Sequence, residues 1–237
     1  MSTSIRELAD RTVDPHVVGF LQTPETGNGH GLVLTHGAGG NAQAPLLRAL
    51  ADAFCDSGFT VLRCNLPYRQ VRYFGPPGPA DAVRDRAGLK NAVAALQKIM
   101  ALPAVGRSEG FPNLDSGEIF LGGHSYGGRQ SSMLCSEEPN LVDGLLLLSY
   151  PLHPPRKPEQ QRTQHLPDLR TPTLFVHGTR DPFGSIDEIE RAIEMIPAKT
   201  ELLTVEGAGH DLGFKGKTRN ETLAAMLLER FRSFLKN

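Results

Sequence analysis

Glu118-Ile-Phe-Leu-Gly-Gly-His-Ser125-Tyr-Gly127 begins as a short apolar run, passes into small residues, and gives way over Tyr126 to Glu137 to a segment able to form a helix before Pro139. A strand that turns sharply into a helix at a serine presents that serine's hydroxyl beyond the strand's end. Such a turn brings backbone close to the positions two before and two after the serine, and Gly123 and Gly127 leave the necessary room. A second match to the same spacing, Gly106-Arg-Ser108-Glu-Gly110, follows Pro103-Ala-Val and precedes Phe111-Pro-Asn, which favour neither strand nor helix. Ser108 reads as a loop serine and Ser125 as the nucleophile candidate.

Outward from Ser125, short apolar runs alternate with helical stretches. Gly31–Thr35, Thr60–Cys64, Glu118–Leu121, Gly144–Ser149, Thr173–His177 and Glu201–Val205 read as strands, with Val17–Leu21 as an added edge strand. Leu46, Leu47, Leu50, Ala53 and Phe54 recur at helical spacing, as do Leu89, Ala92, Val93, Leu96, Ile99 and Met100. A closing helix carries Leu223, Met226, Leu227, Phe231 and Phe234 inward, and the Pro- and Gly-rich stretch 67–79 reads as a loop. This alternation predicts the α/β class: a mostly parallel central sheet with helices on both faces and functional loops at the strands' C-terminal ends.

The whole chain, 237 residues with 25 Lys and Arg against 26 Asp and Glu, fits one domain over 1–237. Its formal net charge of −1 argues against a dedicated nucleic-acid binder. The N-terminal ten residues lack the apolar core of a signal peptide, and the longest apolar run, Leu145–Leu148, is too short to cross a bilayer. Cys55, Cys64 and Cys135 form no close pair, so they read as small buried hydrophobes rather than metal or disulfide partners. These features predict a cytoplasmic protein with no metal and no cofactor, and leave the oligomeric state open.

A serine hydroxyl needs a base to take its proton, and that base an orienting acid. His210, in Glu206-Gly-Ala-Gly-His210, follows the last strand in a loop that can swing back over the sheet. Asp181, in His177-Gly-Thr-Arg-Asp181-Pro-Phe-Gly184, follows the strand before it. Developing negative charge on a substrate calls for backbone N–H donors: that of Tyr126, and one from the glycine-rich turn His36-Gly-Ala-Gly-Gly40, with Ala38 or Gly37 the candidates. That turn matches neither phosphate-binding glycine pattern.

With these residues in place, the chain resembles the α/β-hydrolase superfamily over nearly its full length. Leu121-Gly-Gly-His-Ser-Tyr-Gly-Gly-Arg129, Tyr150-Pro-Leu-His-Pro-Pro155 and Phe175-Val-His-Gly-Thr-Arg-Asp-Pro-Phe-Gly184 are similar to phrases of small lidless, dienelactone-hydrolase-like members, some of which resemble subunits of chromatin-modifying complexes. A serine stands where dienelactone hydrolases proper carry a cysteine. The resemblance implies an α/β-hydrolase fold and a serine hydrolase of the carboxylesterase or thioesterase kind. Such an enzyme cleaves a small ester or thioester through Ser125, His210 and Asp181 and an acyl-enzyme. Transfer of the acyl group to another acceptor, and a non-catalytic scaffold role, remain as alternatives.

The interval Pro151–Pro172, 22 residues with six prolines, leaves no room for a multi-helix cap, although Lys157–Leu166 can make a short helix. It is basic, with Arg156, Lys157, Arg162 and Arg170, while Arg69 and Arg72 lie in the 67–79 stretch and Arg129 one helical turn beyond Ser125. Arg129, Arg69 and Arg162 are candidates to bind an anionic group of the substrate; the other reading is of solvated surface arginines.

Overall fold

The computed structural model describes residues 3–101, 117–214 and 221–236, so Ser108 lies outside the described residues. Among the described residues eight strands form one sheet: β1 (Ser4–Asp10), β2 (Val17–Thr23), β3 (Gly31–Thr35), β4 (Thr60–Asn65), β5 (Ile119–His124), β6 (Gly144–Leu148), β7 (Thr173–Gly178) and β8 (Thr200–Val205). Their spatial order is β1-β2-β4-β3-β5-β6-β7-β8. β2 runs antiparallel to both β1 and β4, and the pairs from β4 through β8 are parallel. The helices are α1 (Pro45–Asp56), α2 (Pro67–Val71), α3 (Asp81–Ala101), α4 (Tyr126–Glu137), α5 (Ile186–Ile193) and α6 (Glu221–Lys236).

Because helices cover both faces, the central strands are apolar at consecutive positions and alternate only in which layer they enter. Leu145 and Leu147 pack with α3, α4 and α5, whereas Leu146 and Leu148 pack with α1 and α6. Phe231 of α6 meets Phe54 of α1 at 5.5 Å and Phe120 of β5 at 5.1 Å between ring centroids, which welds the second layer together. From β3 the sheet grows to β4 on one side and to β5 on the other. Loops leaving β3 and β5 therefore part at their C-terminal ends and leave a crevice there.

The structure corrects four local expectations. Val17–Leu21 belongs to an interior strand, since β1 pairs along the whole of β2 from Ser4↔Thr23 to Asp10↔Val17 and takes the edge. Within the 67–79 stretch, Pro67 opens the short helix α2. Lys157–Leu166 is not helical: the Arg162 N–H donates to the Leu152 carbonyl at 2.8 Å and the Tyr150 hydroxyl to the Arg162 carbonyl at 2.6 Å, tying the segment back as a loop. Only a 3-10 turn, Leu166–Asp168, follows, so among the described residues no large cap covers the sheet. Met226 of α6 is 40% exposed rather than inward. All three cysteines are buried, and burial pushes their thiols up, to about 11 for Cys55 and about 12 for Cys64 and Cys135.

Phe231→Ala removes a wholly buried ring from between two others and is expected to destabilise the protein by about 3–5 kcal/mol. The shift in the urea unfolding midpoint measures it.

Candidate active site

Ser125 links β5 to α4 with φ 52° and ψ −116°, a left-handed backbone conformation that a residue with a side chain adopts only under constraint. The constraint is visible on both sides. The Ser125 N–H donates to the Leu148 carbonyl at 2.8 Å, and the Arg129 N–H returns to the Ser125 carbonyl at 2.9 Å. A Cβ on Gly127 would fall 2.5 Å from the His36 carbonyl oxygen, so α4 and the end of β3 touch backbone to backbone. A Cβ on Gly37 would fall 3.2 Å from that of Ser125, which sets the glycine-rich turn beside the hydroxyl.

Asp181 and His210 come from loops that the sheet holds in register. Thr179 N–H donates to the Val205 carbonyl and Arg180 N–H to the Ala208 carbonyl, stitching the segment after β7 to the segment after β8. His210 Nε2 thereby lies 2.7 Å from Ser125 Oγ, and His210 Nδ1 lies 2.8 Å from Asp181 Oδ2. The Asp181 side chain is fully buried, its Oδ1 accepting the Phe183 N–H at 2.9 Å, while the His210 side chain keeps 23% of its surface exposed. The Phe183 ring stacks on the imidazole at 4.1 Å. With Nδ1–H donating to the carboxylate, Nε2 is left to accept the serine proton.

Tyr126, Gly37 and Ala38 all line a cavity of about 780 Å³ that opens on Ser125 and His210. The Tyr126 N–H heads α4, where no carbonyl of the preceding helical turn exists to receive it. The glycine-rich turn is braced by α2: the Tyr68 hydroxyl donates to the Ala38 carbonyl at 2.8 Å, and Arg69 reaches the Ala38 and Gly40 carbonyls at 2.9 Å each. Buried Asp85 of α3 ties both halves together, accepting the Tyr126 hydroxyl at 2.7 Å and the Tyr68 N–H at 3.1 Å. Burial raises its pKa above the usual carboxylate value, an effect that those two hydrogen bonds oppose.

The three arginines expected at the mouth do not share one environment. Arg129 and Arg162 line the cavity. Arg69 is a correction: its five guanidinium N–H groups are engaged by the carbonyls of Ala38, Gly40, Arg72, Tyr73 and Gly75, and it is not part of the cavity lining. It shapes the turn and has no donor left for a substrate.

Three further histidines hold the loops of the site in place. His124, beside Ser125, points Nε2–H at the His210 carbonyl, 2.8 Å away, and so holds the loop. His36 donates from Nδ1 to the Gly37 carbonyl at 2.9 Å and accepts the Leu66 N–H at 3.1 Å. His177 meets the Gly184 carbonyl at 2.9 Å. His36, His124, His177 and Phe183 lie inside the 36–40, 118–127 and 177–184 stretches, whereas Asp85 and Tyr68 lie in none of them and carry no local signal of a place at the site.

Burial holds His36, His124 and His165 down to about 4, each from an ordinary value of 6.5. Unfolded, they take up protons that the folded protein refuses. Stability is therefore independent of these groups above about pH 6.5 and falls on acidification toward pH 4, by about 1.4 kcal/mol per pH unit for each histidine. Urea midpoints at pH 7.5, 6 and 5 test the slope. Gly127→Ala forces the start of α4 and the His36 carbonyl apart, and is expected to cost about 1–3 kcal/mol of stability in the same assay.

The known proteins that the chain matches point to one fold. A family model described as an alpha/beta hydrolase domain matches residues 28–235. A dienelactone hydrolase from Anabaena variabilis ATCC 29413 superposes with a TM-score of 0.71 at 19% identity, over 98% of each chain. An alpha-beta serine hydrolase homologue from Coxiella burnetii gives 0.67 at 17% identity, again over 98% of each. A serine hydrolase without a lid from Xanthomonas campestris gives 0.68 at 15% identity, over 100% of this chain and 97% of that one. Eight strands in this order, with the crevice at the β3–β5 parting, thus belong to a chain that is a member of the alpha/beta hydrolase family.

Proposed function

We propose that this hydrolase cleaves a small ester or thioester through Ser125, His210 and Asp181, with the chain acting as one catalytic domain. The observation that carries the reading is the unbroken hydrogen-bonded line from Ser125 Oγ through His210 to the buried Asp181 carboxylate, with contacts of 2.7 and 2.8 Å. Two neighbours described as a serine hydrolase homologue and as a serine hydrolase without a lid support it as fold relatives. Among the described residues no helix is long and apolar enough to cross a membrane, and three unpaired buried cysteines suit a reducing cytoplasm.

In this mechanism Ser125 Oγ attacks the substrate carbonyl as His210 Nε2 takes its proton. Asp181 keeps the imidazole oriented and balances the charge that it gains. The N–H groups of Tyr126 and of Ala38 or Gly37 receive the negative oxygen of the tetrahedral intermediate. That intermediate collapses, the bond to the alcohol or thiol breaks, and the leaving group departs with the proton from His210. Water, deprotonated by the same imidazole, then attacks the acyl-serine and releases the acid.

A fluorophosphonate probe tests nucleophile activation without the natural substrate. Stoichiometric labelling of Ser125, found by peptide mass spectrometry and lost in Ser125→Ala and His210→Ala, is the expected result. Asp181→Asn is expected to slow labelling by roughly 10³-fold or more. A folded protein that takes no label at Ser125 overturns the reading.

A further inference from the structure

The cavity at Ser125 has two walls of different chemistry, one from each face of the sheet. Ala44, Leu46, Leu47 and Phe214 supply carbon from the α1–α6 side. From the opposite side, α4 and the 151–172 loop supply Arg129, Gln130 and Arg162. Among the described residues, neither arginine forms an ion pair with a carboxylate. Arg162 uses one Nη on the Pro151 carbonyl at 3.0 Å. The Arg129 Nε is buried with no hydrogen-bond partner. Wholly buried Gln130 accepts from Arg86 at 3.2 Å through Oε1 and leaves Nε2 without a partner.

The charges around this wall are otherwise accounted for. Arg86 pairs with Glu137 at 3.1 Å. His165 is held neutral, chiefly by burial and then by Arg129 and Arg86, and meets Ser132 Oγ at 2.8 Å. Asp211, the acid in the cavity lining, comes from the loop after β8, and its Oδ1 accepts the Gly213 N–H at 3.2 Å. Burial lowers the Arg162 pKa, and the Arg129 charge lowers it further, as two guanidinium groups near one another must. Two partly buried like charges without a counter-ion are costly, and an entering anion offsets that cost with charge-assisted hydrogen bonds.

We infer that Arg129 and Arg162 form an anion subsite in the wall of the Ser125 cavity, and that the substrate is an ester or thioester with a carboxylate on one half and an apolar group on the other. This rests on the serine-hydrolase reading for the reaction, though not for the binding. Arg129 is four residues beyond Ser125 on α4, a rise of about 6 Å, so the carboxylate lies a short chain away from the reacting carbonyl. Ser125 attack breaks the ester bond, and water completes the hydrolysis, giving the free acid and alcohol with no other reactant.

The test compares mono-4-nitrophenyl glutarate with 4-nitrophenyl valerate, and 4-carboxyphenyl butyrate with phenyl butyrate. One pair carries the carboxylate on the acid half and the other on the alcohol half. In wild type one carboxylated ester is expected to be favoured, and in Arg129→Met and in Arg162→Met its kcat/KM relative to the neutral partner falls at least tenfold. Ratios that are the same in wild type and both variants overturn the subsite. Glutarate binding to Ser125→Ala, followed by calorimetry, reads the subsite without turnover and is expected to weaken at least tenfold when Arg129→Met is added. Unchanged glutarate affinity also overturns it, whereas absent turnover and absent fluorophosphonate labelling with glutarate binding intact overturn only the hydrolase reading.

Discussion

The backbone of Ser125, at φ 52° and ψ −116°, is the constraint around which the structure is arranged. A residue with a side chain pays about 1–3 kcal/mol to stay there and relaxes unless its surroundings forbid it. Here they forbid it through rigid elements. β5 enters between β3 and β6 in the middle of the sheet, α4 leaves with Gly127 pressed on the His36 carbonyl, and the Ser125 N–H is fixed to Leu148. No adjustment of Ser125 is possible without moving a central strand. The hydroxyl is thus aimed by the core, and the loops need only bring His210 to it.

The histidines divide the remaining work by burial. His36 and His124 sit among backbone carbonyls and stay neutral, so their ring nitrogens serve as fixed hydrogen-bonding groups that hold the 36–40 turn and the His210 loop. His210 keeps a partly exposed ring, sandwiched between Asp181 and Ser125 with Phe183 stacked on its face. The same side-chain type therefore acts as scaffold in one place and as candidate proton carrier in another. Access to water, not identity, makes the difference.

Much of the fold was legible because strands buried on both faces are continuous apolar runs, as in Leu145–Leu148, and because Pro139 and the glycines mark where helix and turn must stop. The candidate residues Ser125, Asp181 and His210 were legible for a related reason: each follows a recognisable strand in a short loop. β1 was not, since Arg6, Glu7 and Asp10 interrupt Ile5, Leu8 and Ala9, and an exposed strand needs no apolar pattern. Arg69 was misjudged because a sequence reports a charge but not the five carbonyls that surround it. The Asp85–Tyr126–Tyr68 link joins α3, α4 and α2 across distances that no local pattern encodes.

The charged edge strand has a consequence for how the molecule behaves in a crowded solution. β2 is mostly buried and, without β1, would present a row of free backbone donors and acceptors beside Val17 and Leu21. β1 covers that row with seven paired residues and substitutes an outermost strand bearing Arg6, Glu7 and Asp10. A second chain docking there would have to desolvate those charges, a penalty that deters strand-to-strand stacking and the growth of aggregates. At the opposite margin, β8 carries Glu201, paired with Arg230 of α6 at 2.8 Å, which sets a hydrated ion pair on the other open flank. The sheet that aims the Ser125 hydroxyl thus carries charge at both margins, which disfavours strand-to-strand association there.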